Sequence, residues 1–217
     1  MPITCISFDL DGTLAEKQFD KIIWNTEIPK LYADTHGVDL ETAKKEVYSE
    51  YYKALYIEYV KNWTDIDMWF KRLALHDWQS LMERMRHHIF VYSDVIPVLE
   101  MLSKEYRLVI VSDSEPKFLN MKLDALGLRK YFKEIVSAPA ELRVLKKDPS
   151  AFRLVMERLG AEPHNILHVG DDIVSDFSVP VASGAKAILI DRSGEKRGEN
   201  IIHSLRELPE KVEKMSK

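Results

Sequence analysis

The sequence predicts an α/β protein with a mostly parallel sheet, and two patterns carry this prediction. Short apolar segments of three to six residues recur along the chain, as is typical of buried strands. Segments with helical character, ending at glycine, separate most of them. Such alternation is typical of strand–helix–strand units, in which helices cover both faces of a parallel sheet.

Five segments are predicted as strands: residues 3–8, 108–111, 135–137, 166–169 and 187–190. Helices are predicted after the second, third and fourth of these, over residues 116–126, 149–159 and 173–183. Gly127, Gly160 and Gly184 stand at the ends of these helices, where a left-handed residue is often needed. Pro180 is expected to shorten or bend the third helix, because proline has no amide hydrogen to donate.

The segment between the first two strands has no convincing strand and is predicted to be a helical insertion. Helices are expected over residues 42–62, 65–75 and 77–88, with Asp39, Asp65 and Asp77 near their N-terminal ends. One face of the first helix carries Tyr48, Tyr52, Leu55 and Tyr59. We interpret this aromatic face as the core of a small helical domain, the alternative being that it lines a substrate pocket. The sequence thus predicts an α/β core over residues 1–15 and 92–217 and a helical domain over residues 16–91.

Composition and charge exclude several classes of protein. Apolar residues make up 46% of the chain, which disfavours disorder, and the net charge of -4 disfavours a nucleic-acid binder. The single cysteine excludes an internal disulfide and a cysteine-based zinc site. The longest apolar runs have four residues, whereas a membrane span needs about 20, and the first residues do not resemble a signal peptide. We therefore expect a soluble, cytoplasmic protein.

Two aspartates, Asp9 and Asp11, follow the first predicted strand directly. In an extended strand their side chains would project to the same face. Two like charges so close repel each other, unless a cation lies between them or they share a proton. Gly12 comes next and allows the chain to turn at once. The structural alternative is an ordinary turn, in which Asp-Gly is common.

Polar residues also follow the second and third predicted strands. Ser112 and Asp113 precede a predicted helix, whose free amides could bind an anion or could simply be capped by these side chains. Lys146 and Lys147 precede the helix over residues 149–159, where a cation is unfavourable for the helix dipole. A lysine that reaches a bound phosphate would be tolerated there, although a surface charge run is the alternative.

A cluster of aspartates follows the fourth predicted strand. It comprises Asp171, Asp172 and Asp176, and Mg2+ prefers carboxylate groups of this kind. Helix capping is again the structural alternative. Since all four polar clusters follow apolar segments, and ligands of open α/β sheets bind outside the carboxyl ends of the strands, the clusters together predict one ligand site.

Taken in this order, the motifs resemble those of the haloacid dehalogenase superfamily of hydrolases. The chain has DLDGT beginning at Asp9, a serine after the second strand, a lysine before DPxxF, and GDDxxxD beginning at Gly170. It is also similar to the subgroup that carries a helical cap between the first two motifs. The resemblance covers nearly the whole chain and implies a Rossmann-like core with an inserted α-helical cap.

The resemblance implies a Mg2+-dependent phosphatase that acts on a small phosphorylated metabolite. Asp9 would attack phosphorus and form an aspartyl-phosphate, while Asp11 would protonate the leaving alcohol and then activate water. The Asp9 carboxylate, the Asp11 backbone carbonyl and Asp171 would hold Mg2+. Ser112 and Lys146 would bind the non-bridging phosphate oxygens.

Two positions near the phosphate depart from the pattern of the family. Relatives usually have Lys-Pro-x-Pro where this chain has Lys146 and Lys147 before Asp148. The register favours Lys146, but Lys147 could be the residue that binds phosphate. Asp113 occupies a position that is often asparagine, so it is expected to contact the substrate and to alter the surroundings of the nucleophile.

The aspartate cluster also departs from the pattern. Asp172 stands where serine is common, so either Asp171 or Asp172 could contact the metal. Asp176 is expected to order the outer shell of the metal or the phosphate-binding lysine.

Other functions within reach of these motifs are a phosphomutase, a 2-haloacid dehalogenase and a non-catalytic module that binds a metabolite or a protein. Similar dehalogenases need no metal and typically lack an aspartate two residues after the nucleophile. Asp11 and the acidic cluster therefore favour the phosphatase. We expect a monomer or small homo-oligomer that binds neither nucleic acid nor membrane.

Overall fold

The computed structural model, which describes residues 2–60 and 63–216, contains a parallel sheet of six strands. The strands are β1 (Cys5–Phe8), β2 (Arg107–Ser112), β3 (Glu134–Ser137), β4 (Ile166–Gly170), β5 (Lys186–Ile190) and β6 (Ile201–Ile202). Their order across the sheet is β3-β2-β1-β4-β5-β6, and every neighbouring pair is parallel. The predicted α/β fold is confirmed. Strand β6 was not predicted, because two residues are too few to show a strand pattern.

Helices connect β1 to β5 in turn and cover both faces of the sheet. In the described part of the chain the α-helices are α1 (Gln18–Ile22), α2 (Ile28–His36), α3 (Leu40–Tyr52), α4 (Ile66–Arg72), α5 (Trp78–Met85), α6 (Val95–Leu102), α7 (Pro116–Ala125), α8 (Ala151–Leu159), α9 (Val179–Ala182) and α10 (Leu208–Ser216). Side chains of α6, α7 and α10 join the apolar cluster on one face, whereas α8 packs on the other. Among these described residues, none of the helices combines the length and the hydropathy that crossing a membrane requires.

Alternation along the strands divides the core between these two faces. Phe8 and Ile110 belong to the cluster that contains α6, α7 and α10. Cys5 and Val109 lie on the same two strands at odd-numbered positions, whose side chains point to the opposite face, and they belong to the cluster that contains α8. Both faces of the strands are therefore buried, which explains why the strands have continuous apolar sequences rather than alternating ones.

Two of the three helices predicted between strands are regular, and the third is not. Helices α7 and α8 end before Gly127 and Gly160, which adopt φ angles of 64° and 59°. The segment predicted as a helix over residues 173–183 begins with wide π-helical turns at Ile173–Ser178 and continues as α9. Pro180 lies just after the change from π-helical turns to α9, and a proline, which has no amide hydrogen to donate, interrupts the helical hydrogen-bond pattern there.

The chain divides into two compact units. One consists of the residues up to Glu16 and from Phe90 onward, and the other of Lys17–Ile89. The first contains the whole sheet, and the second has no strand among its described residues. The boundaries proposed from the sequence, after residues 15 and 91, stay a prediction about separate domains.

Aspartate side chains cap the N-terminal ends of three helices of the second unit, α3, α4 and α5. The Asp39 carboxylate accepts hydrogen bonds from the amides of Glu41 and Thr42, at 3.0 Å each, at the start of α3. Asp65 and Asp77 cap α4 and α5 in the same way. Helix α3 continues as π-helical turns at Lys53–Ile57. The C-terminal end predicted for this helix, Asn62, lies outside the described residues.

The aromatic face of the first predicted cap helix is exposed, so the prediction that it forms a core was wrong. The side chains of Tyr48, Tyr52 and Tyr59 are 41%, 59% and 76% exposed. The neighbouring face of α3, with Ala43 and Val47, is fully buried instead. Small residues on one face of a helix allow close packing, whereas a tyrosine can keep its hydroxyl in water when its ring is at the surface.

Candidate active site

The predicted site residues lie at one edge of the sheet. Asp9 follows β1, Ser112 ends β2, Lys146 lies in the segment after β3, and Asp171 follows β4. Because all strands are parallel, their carboxyl ends meet at the same edge, and β1 lies between β2 and β4. The winding direction of the chain reverses at this point, which is where open α/β sheets bind their ligands.

The side chain of Lys146 connects the carboxylates of Asp9 and Asp176. It is 2% exposed, and its Nζ lies 2.9 Å from Asp9 Oδ1 and donates to Asp176 Oδ1 at 2.6 Å. The Lys146 amide donates to Asp113 Oδ1 at 2.8 Å, which fixes the segment that carries the lysine. Lys147 is exposed. Of the two candidate lysines, the structure therefore places Lys146 against the carboxylates.

The pKa values of the three buried groups Asp9, Asp176 and Lys146 are shifted in different directions by burial and by one another. Burial raises the pKa of Asp9 to about 7, even though the adjacent Lys146 acts to lower it. Asp176 is also buried, but Lys146 and His168 hold its pKa well below its ordinary value. Burial acts to lower the pKa of Lys146, yet Asp9 and Asp176 hold it above its ordinary value. Asp9 is thus the carboxylate that a further cation would stabilise most.

Asp176 is fully buried, and both of its oxygens accept hydrogen bonds. Besides Lys146, Oδ1 has His168 Nε2 at 3.2 Å, and Oδ2 accepts from the amide of Asp172 at 2.9 Å. The backbone of Gly170 approaches this carboxylate so closely that a Cβ there would lie 2.3 Å from Asp176 Cγ. A glycine at the end of β4 is therefore a steric requirement.

Three carboxylates form a group that could hold a metal ion. Asp9, Asp171 and Asp176 each offer an oxygen, and these oxygens lie within 4.8 Å of one another. Since Asp176 already accepts hydrogen bonds on both oxygens, Asp9 and Asp171 are better placed to offer one. Oxygen ligands of this kind suit Mg2+. Asp172 is exposed, and its Oδ1 caps the first amides of the following turn at 2.8 and 3.0 Å, so it lies outside the group.

The carboxylate of Asp11 accepts hydrogen bonds from two side chains, Ser114 and Lys122. Ser114 Oγ donates to Asp11 Oδ2 at 2.9 Å, and Lys122 Nζ donates to Asp11 Oδ1 at 2.6 Å. Lys122 is only 1% exposed and was not among the predicted site residues. The sequence does contain a signal for it, because Lys122 shares the inward face of α7 with Leu119 and Leu123, which are buried.

Ser112 and Asp113, which were also predicted to bind the substrate, make contacts with the segments that carry Ser114 and Lys146. Ser112 is 2% exposed, and its Oγ accepts a hydrogen bond from the amide of Ser114 at 3.1 Å. Burial raises the pKa of Asp113, whose carboxylate is bonded to the backbone of Lys146. Asp113 thus shapes the segment that carries Lys146.

Comparison with protein families and solved structures agrees with this geometry. Residues 3–184 match the family model described as "Hydrolase: haloacid dehalogenase-like hydrolase". The crystal structure of a HAD phosphatase from Thermococcus onnurineus is 29% identical, with a TM-score of 0.81, over 97% of this chain and 98% of that one. The L-2-haloacid dehalogenase of Xanthobacter autotrophicus shares the fold at 18% identity, with a TM-score of 0.61, over 97% and 98% of the two chains.

Curated proteins with similar sequences carry phosphatase names. The GMP/IMP nucleotidase YrfG of Escherichia coli is 24% identical over 188 residues, which are 84% of this chain and 82% of that protein. The N-acylneuraminate-9-phosphatase of Mus musculus is 31% identical over 118 residues, which are 54% of this chain and 46% of that protein.

Proposed function

The chain belongs to the haloacid dehalogenase-like hydrolases, and we propose that it is a Mg2+-dependent phosphatase of small phosphorylated metabolites. The observation that carries this proposal is the surroundings of Asp9. The Lys146 ammonium lies against one Asp9 oxygen, Asp171 lies beside it, and Asp11 is held separately. The phosphatase and nucleotidase names of similar proteins support the same activity.

In the first step of the proposed reaction, an Asp9 oxygen attacks the phosphorus of the substrate. A bond from Asp9 to phosphorus forms while the bond from phosphorus to the leaving oxygen breaks, which produces an aspartyl-phosphate. Asp11 gives its proton to the leaving oxygen, so that the product departs as a neutral alcohol. Lys146 and Ser112 stabilise the negative charge on the non-bridging oxygens.

In the second step, water hydrolyses the aspartyl-phosphate. Asp11, now ionised, takes a proton from the water as its oxygen attacks phosphorus. The bond from Asp9 to phosphorus breaks, inorganic phosphate leaves, and both aspartates return to their starting state. The two steps therefore need one nucleophile and one proton carrier, which are the two aspartates that follow β1.

The donor set at this edge of the sheet fits Mg2+. The carboxylates of Asp9 and Asp171, with the backbone carbonyl of Asp11, would hold the ion. A further cation at this position would offset the burial that raises the pKa of Asp9. Bound there, Mg2+ would neutralise charge on the transferring phosphoryl group.

The same residues disfavour halide displacement from a 2-haloacid. That reaction needs neither Asp11 nor the metal-binding group. Without a metal ion, the three carboxylates of Asp9, Asp171 and Asp176 outnumber the one adjacent cation, Lys146, and would also repel a haloacid anion. A phosphomutase or a binding module would use the same site residues, and the experiment below separates these two functions from a phosphatase.

The test is phosphate release from a panel of phosphomonoesters, with and without Mg2+, beside halide release from 2-chloropropionate. The panel includes purine mononucleotides and sugar phosphates, since similar proteins are named for such substrates. We expect Mg2+-dependent phosphate release that Asp9→Asn abolishes while the circular dichroism spectrum stays unchanged. Halide release without metal would contradict the proposal, and so would a folded Asp9→Asn variant with full activity. If neither product forms, a mutase or a binding module becomes the better explanation.

A further inference from the structure

Lys122 makes a buried contact for which the proposed reaction gives no reason. We propose that Lys122 is a positioning residue, which together with Ser114 fixes the Asp11 carboxylate for proton transfer. This inference rests on the proposed function, because it assigns the carboxylate of Asp11 the exchange of a proton with the leaving group and with water. It adds a residue from α7 to a site whose other members follow the strands.

The contact holds both oxygens of the carboxylate. Lys122 Nζ donates to Asp11 Oδ1 at 2.6 Å, and Ser114 Oγ donates to Asp11 Oδ2 at 2.9 Å. One donor would leave the carboxylate free to rotate about its last torsion, whereas two donors on opposite oxygens determine its plane. This geometry is that of the ionised carboxylate, which takes a proton from water. When Asp11 carries the proton for the leaving group on Oδ2, the Ser114 hydroxyl turns to accept from it while Lys122 still holds Oδ1. In both states the pair sets the plane of the Asp11 carboxyl group.

Each of the two donors is itself held in place. The Lys122 side chain is 1% exposed, and its Nζ lies 5.9 Å from the ring centroid of Phe118, one helical turn earlier on α7. The amide of Ser114 donates to Ser112 Oγ at 3.1 Å, and its carbonyl accepts from Ser137 Oγ at 2.8 Å. The pair is thus anchored on a helix and on the ends of β2 and β3, as precise placement of a reacting group requires.

Burying the ammonium group of Lys122 costs free energy that its pairing with Asp11 must offset. A buried ammonium must be paired with an anion to be tolerated, a cost that an apolar side chain would not carry. Lys122 lies on α7 beside the buried Leu119 and Leu123, and its ammonium pairs with Asp11. The Asp11 carboxylate is not part of the group of Asp9, Asp171 and Asp176, whose oxygens could hold a metal ion.

The test compares Lys122→Met in the wild-type and the Asp11→Asn backgrounds. The value of kcat/KM is measured with 4-nitrophenyl phosphate and phenyl phosphate, because 4-nitrophenolate leaves with little protonation and phenolate needs a proton donor. We expect Lys122→Met to lower kcat/KM about 100-fold for phenyl phosphate and less than about 10-fold for 4-nitrophenyl phosphate. In the Asp11→Asn background it should have no further effect, since the residue through which it acts is gone.

The matched control is Lys117→Met, which removes a lysine of the same helix that is 33% exposed and pairs with Glu115. It should leave kcat/KM for both substrates unchanged. If Lys122→Met does not fold, Ser114→Ala replaces it, with a smaller loss of the same leaving-group dependence. Equal losses for the two substrates, or losses that persist beside Asp11→Asn, would overturn the positioning role. A wild-type protein without phosphatase activity would overturn the proposed function and the positioning role together.

Discussion

The Lys146 ammonium and the Asp9 carboxylate lie 2.9 Å apart at the carboxyl edge of the sheet. The side chain of Lys146 is 3% exposed and that of Asp9 is 11% exposed. A buried cation is stable only where anions surround it, and Lys146 also donates to Asp176 at 2.6 Å. The lysine therefore holds together carboxylates that would otherwise repel one another, and its charge faces the proposed nucleophile.

This arrangement predicts different effects for the two neighbouring lysines. Lys146→Met should lower kcat/KM for phosphate release at least about 100-fold, because it removes a charge that stabilises the phosphoryl oxygens. Lys147→Met, which changes an exposed side chain, should leave kcat/KM within about twofold of the wild-type value. Steady-state kinetics with the best substrate of the panel measures both. Similar losses in the two variants would contradict the assignment to Lys146.

Substitutions of the neighbouring residues Asp171 and Asp172 should have different effects, the first on Mg2+ binding and the second on stability. Asp171→Asn is expected to weaken Mg2+ binding at least about 10-fold, because it removes a charged ligand. Asp172→Ala should leave Mg2+ binding unchanged and lower the free energy of unfolding by about 1 kcal/mol, because this residue caps the turn that follows β4. Calorimetric titration with Mg2+ and urea unfolding measure the two quantities. Weaker Mg2+ binding in Asp172→Ala would show that Asp172 contacts the metal.

The close approach of Gly170 to Asp176 predicts that Gly170→Ala damages the site. The added Cβ would lie 2.3 Å from Asp176 Cγ and 2.4 Å from Oδ2, so the carboxylate must move away from Lys146. We expect a loss of about 1–3 kcal/mol in the free energy of unfolding, as for other overpacked sites, and a large loss of kcat/KM.

The control for this prediction is Gly160→Ala, at a position where a Cβ meets no atom within 4 Å. It should cost about 1 kcal/mol of stability, because alanine is strained at the φ of 59° found there. Its kcat/KM should stay at the wild-type value. If Gly170→Ala keeps full activity, the position of Asp176 does not matter for the reaction.

The Asp94 carboxylate predicts a pH dependence of stability that is independent of the site. Burial acts to raise the pKa of Asp94, but hydrogen bonds from Arg192 and Ser204, at 2.6 and 2.7 Å, outweigh it and hold the pKa below its ordinary value. Since the folded pKa is lower than the unfolded one, this carboxylate stabilises the fold fully above the unfolded pKa. The stabilisation is lost as the pH falls through the folded pKa.

Asp94→Asn should therefore lower the free energy of unfolding by about 2 kcal/mol at neutral pH. The difference from the wild type should shrink as the pH is lowered from about 5 toward about 3. Urea unfolding of both proteins across this range measures it. A difference that grows toward acid pH would contradict the lowered pKa.

Much of the fold could be predicted from the sequence, because the signals that determine it are local. The run Leu108 to Val111 predicts a strand buried on both faces, and the structure contains β2 there. Asp39 predicts a helix start because a cap acts on amides two and three residues away. Asp9 and Asp171 could be assigned to one site because parallel strands bring their carboxyl ends to the same edge.

Other features were decided by tertiary packing alone. The sequence favoured Lys146 by its register but left Lys147 open, since the order of two lysines along the chain does not determine which of them turns inward. It placed the tyrosine face of α3 in a core, whereas Tyr52 is 59% exposed. It also missed the pairing of Lys122 with Asp11, which are far apart in the chain. Local patterns determine elements, but the burial of one particular side chain depends on which distant surface packs against it, and only the assembled fold supplies that surface.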